Sequence, residues 1–475
     1  MDNLERQRKQ KKFDEVKHTL RKFEGLLEIG ILTVIYYLFW RNCYDIPDMP
    51  TFYYKGKYLL SAIYAFLTCV LFFYGDSFKF GHIKLGDAVI SQWIAVVISN
   101  FVTYFQLCLI ANKMINCLPM LALTGVDIAV TFVLCYIFTA IYHNFCIPRK
   151  MVMVYGSKNA VCLKFKMNTR GDKYRIEKLL NCNELSYEQI ISQISEYDAV
   201  VINDVNAQMR NDILKYCYQN SIRTYLVPKI SDIIYSGGDD ITLFDTPLKL
   251  IKGRGLTPAQ RFLKRAFDLV LSGIATIPAL LIIGIVAIAI KIEDGGSVFY
   301  KQKRLGHKGE FEVLKLRSMK ENAEALGVPQ LATENDPRIT KVGKFIRACR
   351  LDELPQILNI LKGDMSIVGP RPERLMFYEE FEKTIPEFRL RTKVKAGLTG
   401  YAQVYGKYNT TPLDKLRMDL MYIENYSFLT DVRLVLKTVQ ILFKKESTEG
   451  VAEENSVLKK EDDSEKKHEK AMIGK

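Results

Sequence analysis

The ten cysteines of this 475-residue chain stand singly. No two form a CxxC pair, so neither a disulfide framework nor a zinc site is indicated. Histidine is scarce too: of five, only His307 falls between residues 250 and 445, and it is read as non-catalytic, with no Ser/His/Asp arrangement around it. Tryptophan is down to two, against 26 Tyr and 26 Phe, and the aromatic motifs of RNA-binding sheets are missing, which speaks against nucleic acid. Gly (28) and Pro (15) are ordinary and 48% of residues are hydrophobic, so a disordered or collagen-like chain is excluded. Positive charge is in excess. The net +14 suits an anionic partner: nucleic acid, a phosphorylated substrate or an anionic bilayer. A mean hydropathy of -0.01 hides an uneven distribution, with apolar residues concentrated before position 145 and charge at both ends.

Four stretches, about 24–41, 57–75, 87–111 and 118–142, approach the roughly 20 apolar residues that span a bilayer core. The segment before the first carries Arg6, Arg8, Lys9, Lys11, Lys12, Lys17, Arg21 and Lys22. It is too basic and too long for the start of a cleaved signal, and no small-residue cleavage site follows. The positive-inside rule places it in the cytoplasm, and four crossings return the chain there at Arg149 and Lys150. Asp127, inside the fourth run, belongs either to an ion path or to a locally paired bundle interior.

Next comes an α/β segment. Met151–Tyr155, Ala199–Ile202 and Thr224–Val227 read as strands separated by polar helical stretches, which predicts a small parallel sheet in a Rossmann-like domain over 146–250. Gly156 ends the first strand, but GxGxxG is absent, leaving nucleotide binding and a spacer role both open. A fifth apolar run, Leu269–Ile290, is long enough to span and holds Pro278. A crossing there would put all the basic, phosphate-site-like sequence that follows outside the cell. A re-entrant helix over 266–291 that breaks at Pro278 resolves the conflict, with Thr276 offering a hydroxyl to freed carbonyls; a kinked ordinary span is the alternative. Val432, Val435, Leu436, Val439, Leu442 and Phe443 follow helical spacing, for the bilayer surface or for packing on the domain. The charged tail over 446–475 is expected to be disordered.

The stretch Arg350–Gly363 is the most informative. Leu354, Ile357, Leu358 and Leu361 make a helical core stripe and Gly363 a natural stop. Pro355 fits only the first turn, which puts Asp352 and Glu353 at the helix N-terminus. Anions are stabilised there, so Asp352 stays ionised and can bind a metal or attack an electrophile; helix capping is the plain alternative. The loop Gly369-Pro-Arg-Pro-Glu373 displays Arg371, whose planar fork matches phosphate oxygens. Lys315 and Arg317 alternate on one face of a strand over 311–317. Arg338, in Asp336–Thr340, and Arg347, in Lys344–Arg347, add cations. Together these describe a site for a diphosphate, a divalent cation and a lipid.

From roughly Lys264 to Lys444 the chain resembles the bacterial polyprenyl-phosphate sugar-1-phosphate transferases, the monotopic phosphoglycosyl transferases of exopolysaccharide and capsule synthesis. The matching pieces are Lys264-Arg265-Ala-Phe-Asp268, Phe299-Tyr-Lys-Gln-Lys-Arg-Leu-Gly306, Lys315-Leu-Arg-Ser-Met319, Asp352-Glu-Leu-Pro-Gln356, Gly363-Asp-Met-Ser-Ile-Val-Gly-Pro-Arg-Pro372 and Gly397-Leu-Thr-Gly-Tyr-Ala-Gln403. The resemblance implies a membrane α plus α/β protein of the family's long form: a basic cytosolic N-terminus (1–23), a four-helix transmembrane region (24–145), the Rossmann-like domain, and a C-terminal α/β catalytic domain (258–445) anchored by the re-entrant helix.

It further implies that Asp352, of the family's Asp-Glu dyad with Glu353, attacks the sugar-bearing phosphorus of a UDP-sugar. UMP leaves, and undecaprenyl phosphate then takes the phosphosugar from the aspartate. Mg²⁺ at Asp352 would neutralise the diphosphate, and Arg371, Lys315, Arg317, Arg338, Arg347 and Gln403 are the substrate-binding candidates. The expected place is the inner membrane of a bacterial cell, catalytic domain to the cytoplasm, with a homo-oligomer plausible. Two departures from the family stand out: Ile277 precedes Pro278 where Ser is common, and Arg350 stands where a Ser or Thr often caps the dyad. No residue selects the sugar. An inactive membrane scaffold or ligand sensor of a polysaccharide-assembly complex is the reading from another class.

Overall fold

A computed structural model describes residues 3–44, 56–78, 83–145, 148–157, 160–253, 255–320, 336–407 and 410–442. The tail over 446–475 and Phe443 lie outside the described residues. Two compact units divide the chain, Met1–Val227 and Pro228–Lys475.

The first unit opens with helices α1 (Asn3–Cys43), α2 (Gly56–Tyr74), α3 (Leu85–Ala111) and α4 (Leu118–Phe145), each packed on the next and α1 also on α4. Among the described residues, five helices are long and apolar enough to cross a membrane: these four, within Lys22–Cys43, Gly56–Tyr74, Leu85–Ala111 and Leu118–Tyr142, and Pro258–Asp294. Leu32, Tyr36, Tyr64, Phe72, Val96 and Leu123 fill the bundle core, where the Tyr36 and Tyr64 rings stack with centroids 4.4 Å apart. Leu26, Phe66 and Leu109 point outward and are exposed, as side chains meant for lipid are. Asp127 is not alone: it accepts from Tyr64 and Asn100.

The same unit continues as β1 (Arg149–Tyr155), α5 (Ala160–Asn168), β2 (Tyr174–Asn181), α6 (Tyr187–Ile194), β3 (Ala199–Asn203), α7 (Ala207–Gln219) and β4 (Arg223–Leu226). The sheet is wholly parallel in the order β2-β1-β3-β4. Strand β2 escaped the sequence because Tyr174–Asn181 mixes charge into its apolar positions. Strand β1 sits in the middle and is buried on both faces, Val152 and Val154 toward one core, Met151 and Met153 toward the other. That double burial is why it reads as an unbroken apolar run. Gly156 has a packing reason, since a Cβ there would strike the carbonyl oxygen of Asp204.

The second unit holds α8 (Ile230–Ser236), the hairpin β5 (Asp239–Leu243) and β6 (Thr246–Leu250), the long helix α9 (Pro258–Asp294), the hairpin β7 (Phe299–Gly306) and β8 (Gly309–Leu316), then α10 (Lys341–Ala348), α11 (Gln356–Lys362), β9 (Met365–Val368), α12 (Leu375–Glu382), β10 (Ala396–Thr399), α13 (Tyr401–Tyr405), α14 (Pro412–Glu424) and α15 (Phe428–Leu442). Strands β9 and β10 pair in parallel at the centre of a core that includes Met365, Val368, Phe388, Leu416, Leu420 and Leu434.

Helix α9 continues on both sides of Pro278, which has no N–H to give to the Ile274 carbonyl. Thr276 Oγ1 donates to the Ser272 carbonyl at 2.6 Å, two residues before Ile274, so the hydroxyl does not serve the carbonyl that Pro278 leaves free, contrary to the expectation from sequence. Both ends of the helix are tied to the rest of this unit. Near its start, Lys264 Nζ bonds Asp431 Oδ2 (2.8 Å) and the Tyr422 hydroxyl (2.9 Å), Arg265 reaches the carbonyls of Ile360 and Leu361, and Asp268 accepts from Ser366 and the Ile367 amide. At its end, Glu293 accepts from the amides of Lys341 and Val342 at the start of α10, and Asp294 pairs with Arg317. Between them Ile274, Ile277 and Leu281 are exposed, an apolar arc with no partner in this unit.

On α15 the buried positions are Asp431, Leu434, Lys437 and Gln440. The apolar stripe expected at Val432, Val435 and Val439 is only half-buried, because Asp431 faces inward to meet Lys264.

Candidate functional site

Asp352 and Glu353 lie in a short 3-10 turn, Leu351–Glu353, and not in the first turn of an α-helix. Helix α11 begins only after Pro355, which has no N–H to offer the preceding turn. Arg350, just before the turn, is held at φ +55°, a left-handed conformation that costs a non-glycine residue about 1 kcal/mol. The expected stripe on α11 is displaced: Leu358 is exposed, while Gln356, Ile357, Asn359 and Ile360 are buried. Asn359 explains the shift, because its side chain accepts from the Leu314 amide (3.0 Å) and donates to the Glu312 carbonyl (2.7 Å). This clamp fixes α11 to β8 and brings Lys315 over the dyad.

Glu353 Oε1 receives Arg371 Nη2 at 2.6 Å and lies 3.5 Å from Lys315 Nζ. Burial alone would raise this carboxyl, but Arg371 and Lys315 outweigh it and hold the pKa down at about 2. Asp352 makes no hydrogen bond or ion pair among the described residues. Its carboxyl is raised above the ordinary value by burial and by the neighbouring Glu353 charge, against the pull of Lys315, Arg347 and Arg371. Burial lowers the Lys315 ammonium despite Glu353, and Arg371 is raised, chiefly by Glu353. One acid is therefore spent on holding cations while the other stands unpaired among them.

The loop that carries Arg371 has four successive carbonyls tied down. Pro370 O accepts from the Gly397 amide (2.9 Å), Arg371 O from Arg391 Nη2 (3.1 Å), Pro372 O from Arg304 Nη1 (3.3 Å) and Glu373 O from the Leu305 amide (3.0 Å). Two prolines remove backbone freedom at the same place. Gly369, Gly397 and Gly400 let two backbone segments meet, since a Cβ on Gly400 would collide with the Gly369 carbonyl. Beneath, Arg391 is buried against the Phe388 ring with its Nε on Asp419 Oδ2 at 2.6 Å.

Of the residues singled out by sequence, Asp352, Glu353, Lys315, Arg347 and Arg371 are brought together. Arg317 follows the end of β8 and is paired with Asp294 on α9, and Arg338 is clamped by Asp336, so neither adds its charge to the dyad directly. Gln403 lies beside Gly400 with its amide buried, and neither Nε2 nor Oε1 has a partner among the described residues. Pro278 lies inside α9. Arg304, Asn359, Arg391 and Asp419 were not legible as site residues: each acts through a contact far away in sequence, and their surroundings read as ordinary surface charge.

An unpaired carboxylate thus stands among half-buried cations, in a unit that carries a helix long and apolar enough to cross a membrane. Residues 259–445 match the family described as bacterial sugar transferase. The chain is 36% identical over 260 residues (52% of this chain, 59% of the relative) to a UDP-N-acetylgalactosamine-undecaprenyl-phosphate N-acetylgalactosaminephosphotransferase of Aeromonas hydrophila. It is 41% identical over 205 residues (42% of each chain) to the UDP-glucose:undecaprenyl-phosphate glucose-1-phosphate transferase of Escherichia coli (strain K12). Over 202 residues it is 37% identical to the exopolysaccharide production protein ExoY of Sinorhizobium fredii (strain NBRC 101917 / NGR234), covering 39% of this chain and 87% of that one. The match spans about half the length of the first two relatives. This chain belongs to the bacterial sugar transferase family.

Proposed function

We propose that this protein transfers a sugar 1-phosphate from a UDP-sugar to undecaprenyl phosphate through a covalent phosphosugar–aspartate intermediate at Asp352. The carrying observation is the unpaired Asp352 carboxylate beside a Glu353 already engaged by Arg371 and Lys315. An Asp352 oxygen attacks the sugar-bearing phosphorus. The bond from that phosphorus to the bridging oxygen breaks, and UMP leaves with the electron pair. An oxygen of undecaprenyl phosphate then attacks the same phosphorus, the aspartyl oxygen departs as carboxylate, and undecaprenyl-diphosphate-sugar is formed. Neither step needs a proton from Glu353, which remains ionised near neutral pH. Its work is to orient Arg371 and Lys315, whose charge offsets that gathering on the transferring phosphoryl oxygens.

Among the described residues no three His, Cys, Asp or Glu side chains converge on a metal position. Asp352 alone suits Mg²⁺, which takes one or two carboxylates and fills its shell with phosphate oxygens and water, neutralising the diphosphate when bound. The relatives' names supply the donor and acceptor classes. Helices α1–α4 would span the inner membrane. Helix α9, tied to one unit at both ends and apolar between them, would dip into the inner leaflet and return at Pro278, keeping the site at the cytoplasmic lipid headgroups. UMP release from a panel of UDP-sugars, with and without undecaprenyl phosphate, tests the reaction. Turnover with one donor that vanishes in Asp352→Ala, with an adduct at Asp352 in the donor-only reaction, is expected; full turnover by Asp352→Ala would sink the reading.

A further inference from the structure

Two buried carboxylates in the α1–α4 bundle are built alike. Gln92 Nε2 donates to Glu28 Oε2 at 2.9 Å, and Asn100 Nδ2 donates to Asp127 Oδ2 at 3.0 Å. All four side chains are at most 1% exposed. In each pair the second carboxylate oxygen and the amide oxygen are left over: Glu28 Oε1 with Gln92 Oε1, and Asp127 Oδ1 with Asn100 Oδ1 have no partner among the described residues. Each pair is thus short of one positive centre. Turning either amide over does not help, because it would set amide oxygen against carboxylate oxygen.

No ion pair to either carboxylate forms among the described residues, and an uncompensated charge in a bilayer interior costs at least roughly 2.5–3.5 kcal/mol. Gln92 and Asn100 are eight residues apart on α3, about 12 Å at the rise of an α-helix. Between them Thr68 donates to Ser99 at 3.2 Å, so hydroxyls line the gap. Among the described residues, the ionisable groups around the pairs are acidic or neutral: Glu24 of α1 and Cys135 of α4 near Glu28, Tyr64 of α2 and Tyr36 of α1 near Asp127. Carboxylate, amide and hydroxyl oxygens, with no competing cation among the described residues, form a donor set for a small hard cation.

We infer that the four-helix bundle is a cation-binding element, with a proton or an alkali metal ion held at Glu28–Gln92 and another at Asp127–Asn100. The bundle's stability is then linked to the cation by mass action. The chain's only two tryptophans, Trp40 and Trp93, both lie in this bundle, so intrinsic fluorescence reports on it selectively.

The test is fluorescence-detected melting of the full chain in lipid nanodiscs, in NaCl, KCl or N-methyl-D-glucamine chloride at equal ionic strength, at about pH 5.5 and about pH 8.5. Wild type in N-methyl-D-glucamine at the higher pH is expected to melt roughly 3 °C or more below its value at the lower pH or with an alkali ion. The Glu28→Gln/Asp127→Asn double variant is expected to melt alike in all six conditions. A response to alkali ion at fixed pH identifies a metal ion, and a response to pH alone identifies the proton. A wild-type midpoint flat across the six conditions overturns the inference without any variant. So does a double variant, or either single variant should the double not fold, that follows the wild type point for point.

Discussion

Arg391 holds Arg371 by its backbone, donating Nη2 to the Arg371 carbonyl oxygen at 3.1 Å while its Nε is fixed on Asp419 at 2.6 Å. The guanidinium that meets Glu353 is thus aimed by a second guanidinium beneath it. Both Arg391 and Asp419 are about 1% exposed, so neither charge has water to fall back on.

Asp419→Ala should therefore destabilise the protein by about 3–5 kcal/mol, the usual cost of orphaning one member of a buried pair. Arg391→Lys keeps the charge but loses the forked contact. A drop in turnover of roughly 10²-fold with a smaller change in donor KM is expected. Melting and steady-state kinetics on the same preparations separate the two effects.

Asp352→Asn should abolish turnover and stabilise the fold at neutral pH. The Asp352 carboxyl is raised above its unfolded value of 3.8, so its contribution is favourable below that pH and is lost as pH rises through the raised value. Replacing the ionised form with a neutral isostere removes that penalty. The melting temperature should rise at pH 7–8, with the gain gone below about pH 3.8, where wild-type Asp352 is neutral as well.

Glu353→Gln should do the reverse. Glu353 is depressed from 4.5 to about 2, so it supports the fold above pH 4.5 and loses that support as pH falls through about 2. The variant should melt lower than wild type at neutral pH. Because the Glu353 charge helps raise Asp352, residual activity should keep its acid limb at lower pH than wild type. A pH profile of kcat/KM reads this directly.

Gln403→Leu should split stability from binding. A buried amide with neither atom partnered is costly, so the apolar replacement should leave melting unchanged or raise it. If the amide serves the donor, KM for the UDP-sugar should rise at least tenfold; an unchanged KM removes Gln403 from the substrate contacts.

Native thiols can test the topology. Cys117 and Cys349 are both exposed, Cys117 between α3 and α4 and Cys349 just after α10. With the N-terminus inside, an impermeant maleimide should label Cys117 in intact cells and reach Cys349 only in inverted vesicles. Labelling of Cys349 from outside would make α9 a true crossing.

Much was written locally. Apolar runs before residue 145 marked the membrane helices because a bilayer selects by length and hydropathy, which need no tertiary contact to be read. Alternating helix and strand signals announced the parallel sheet, although β2 was lost among its charges. The acidic dyad and the proline-framed Arg371 were visible as residue types in a pattern.

Which cations serve the dyad was decided only in three dimensions. Lys315 and Arg317 look equivalent on a strand, yet one meets Glu353 and the other Asp294, because β8 ends between them and the last residue of α9 lies beside Arg317. Asn359 buries the polar side of α11 for the sake of two bonds to β8. The contrast between Asp352 and Glu353 is equally tertiary. Adjacent carboxylates of the same kind acquire opposite pKa shifts because Arg371 and Lys315 converge on one and leave the other unpaired. Residue type and period are properties of neighbours along the chain and so survive in sequence. Charge pairing depends on groups brought close from far apart, and only the folded chain brings them there.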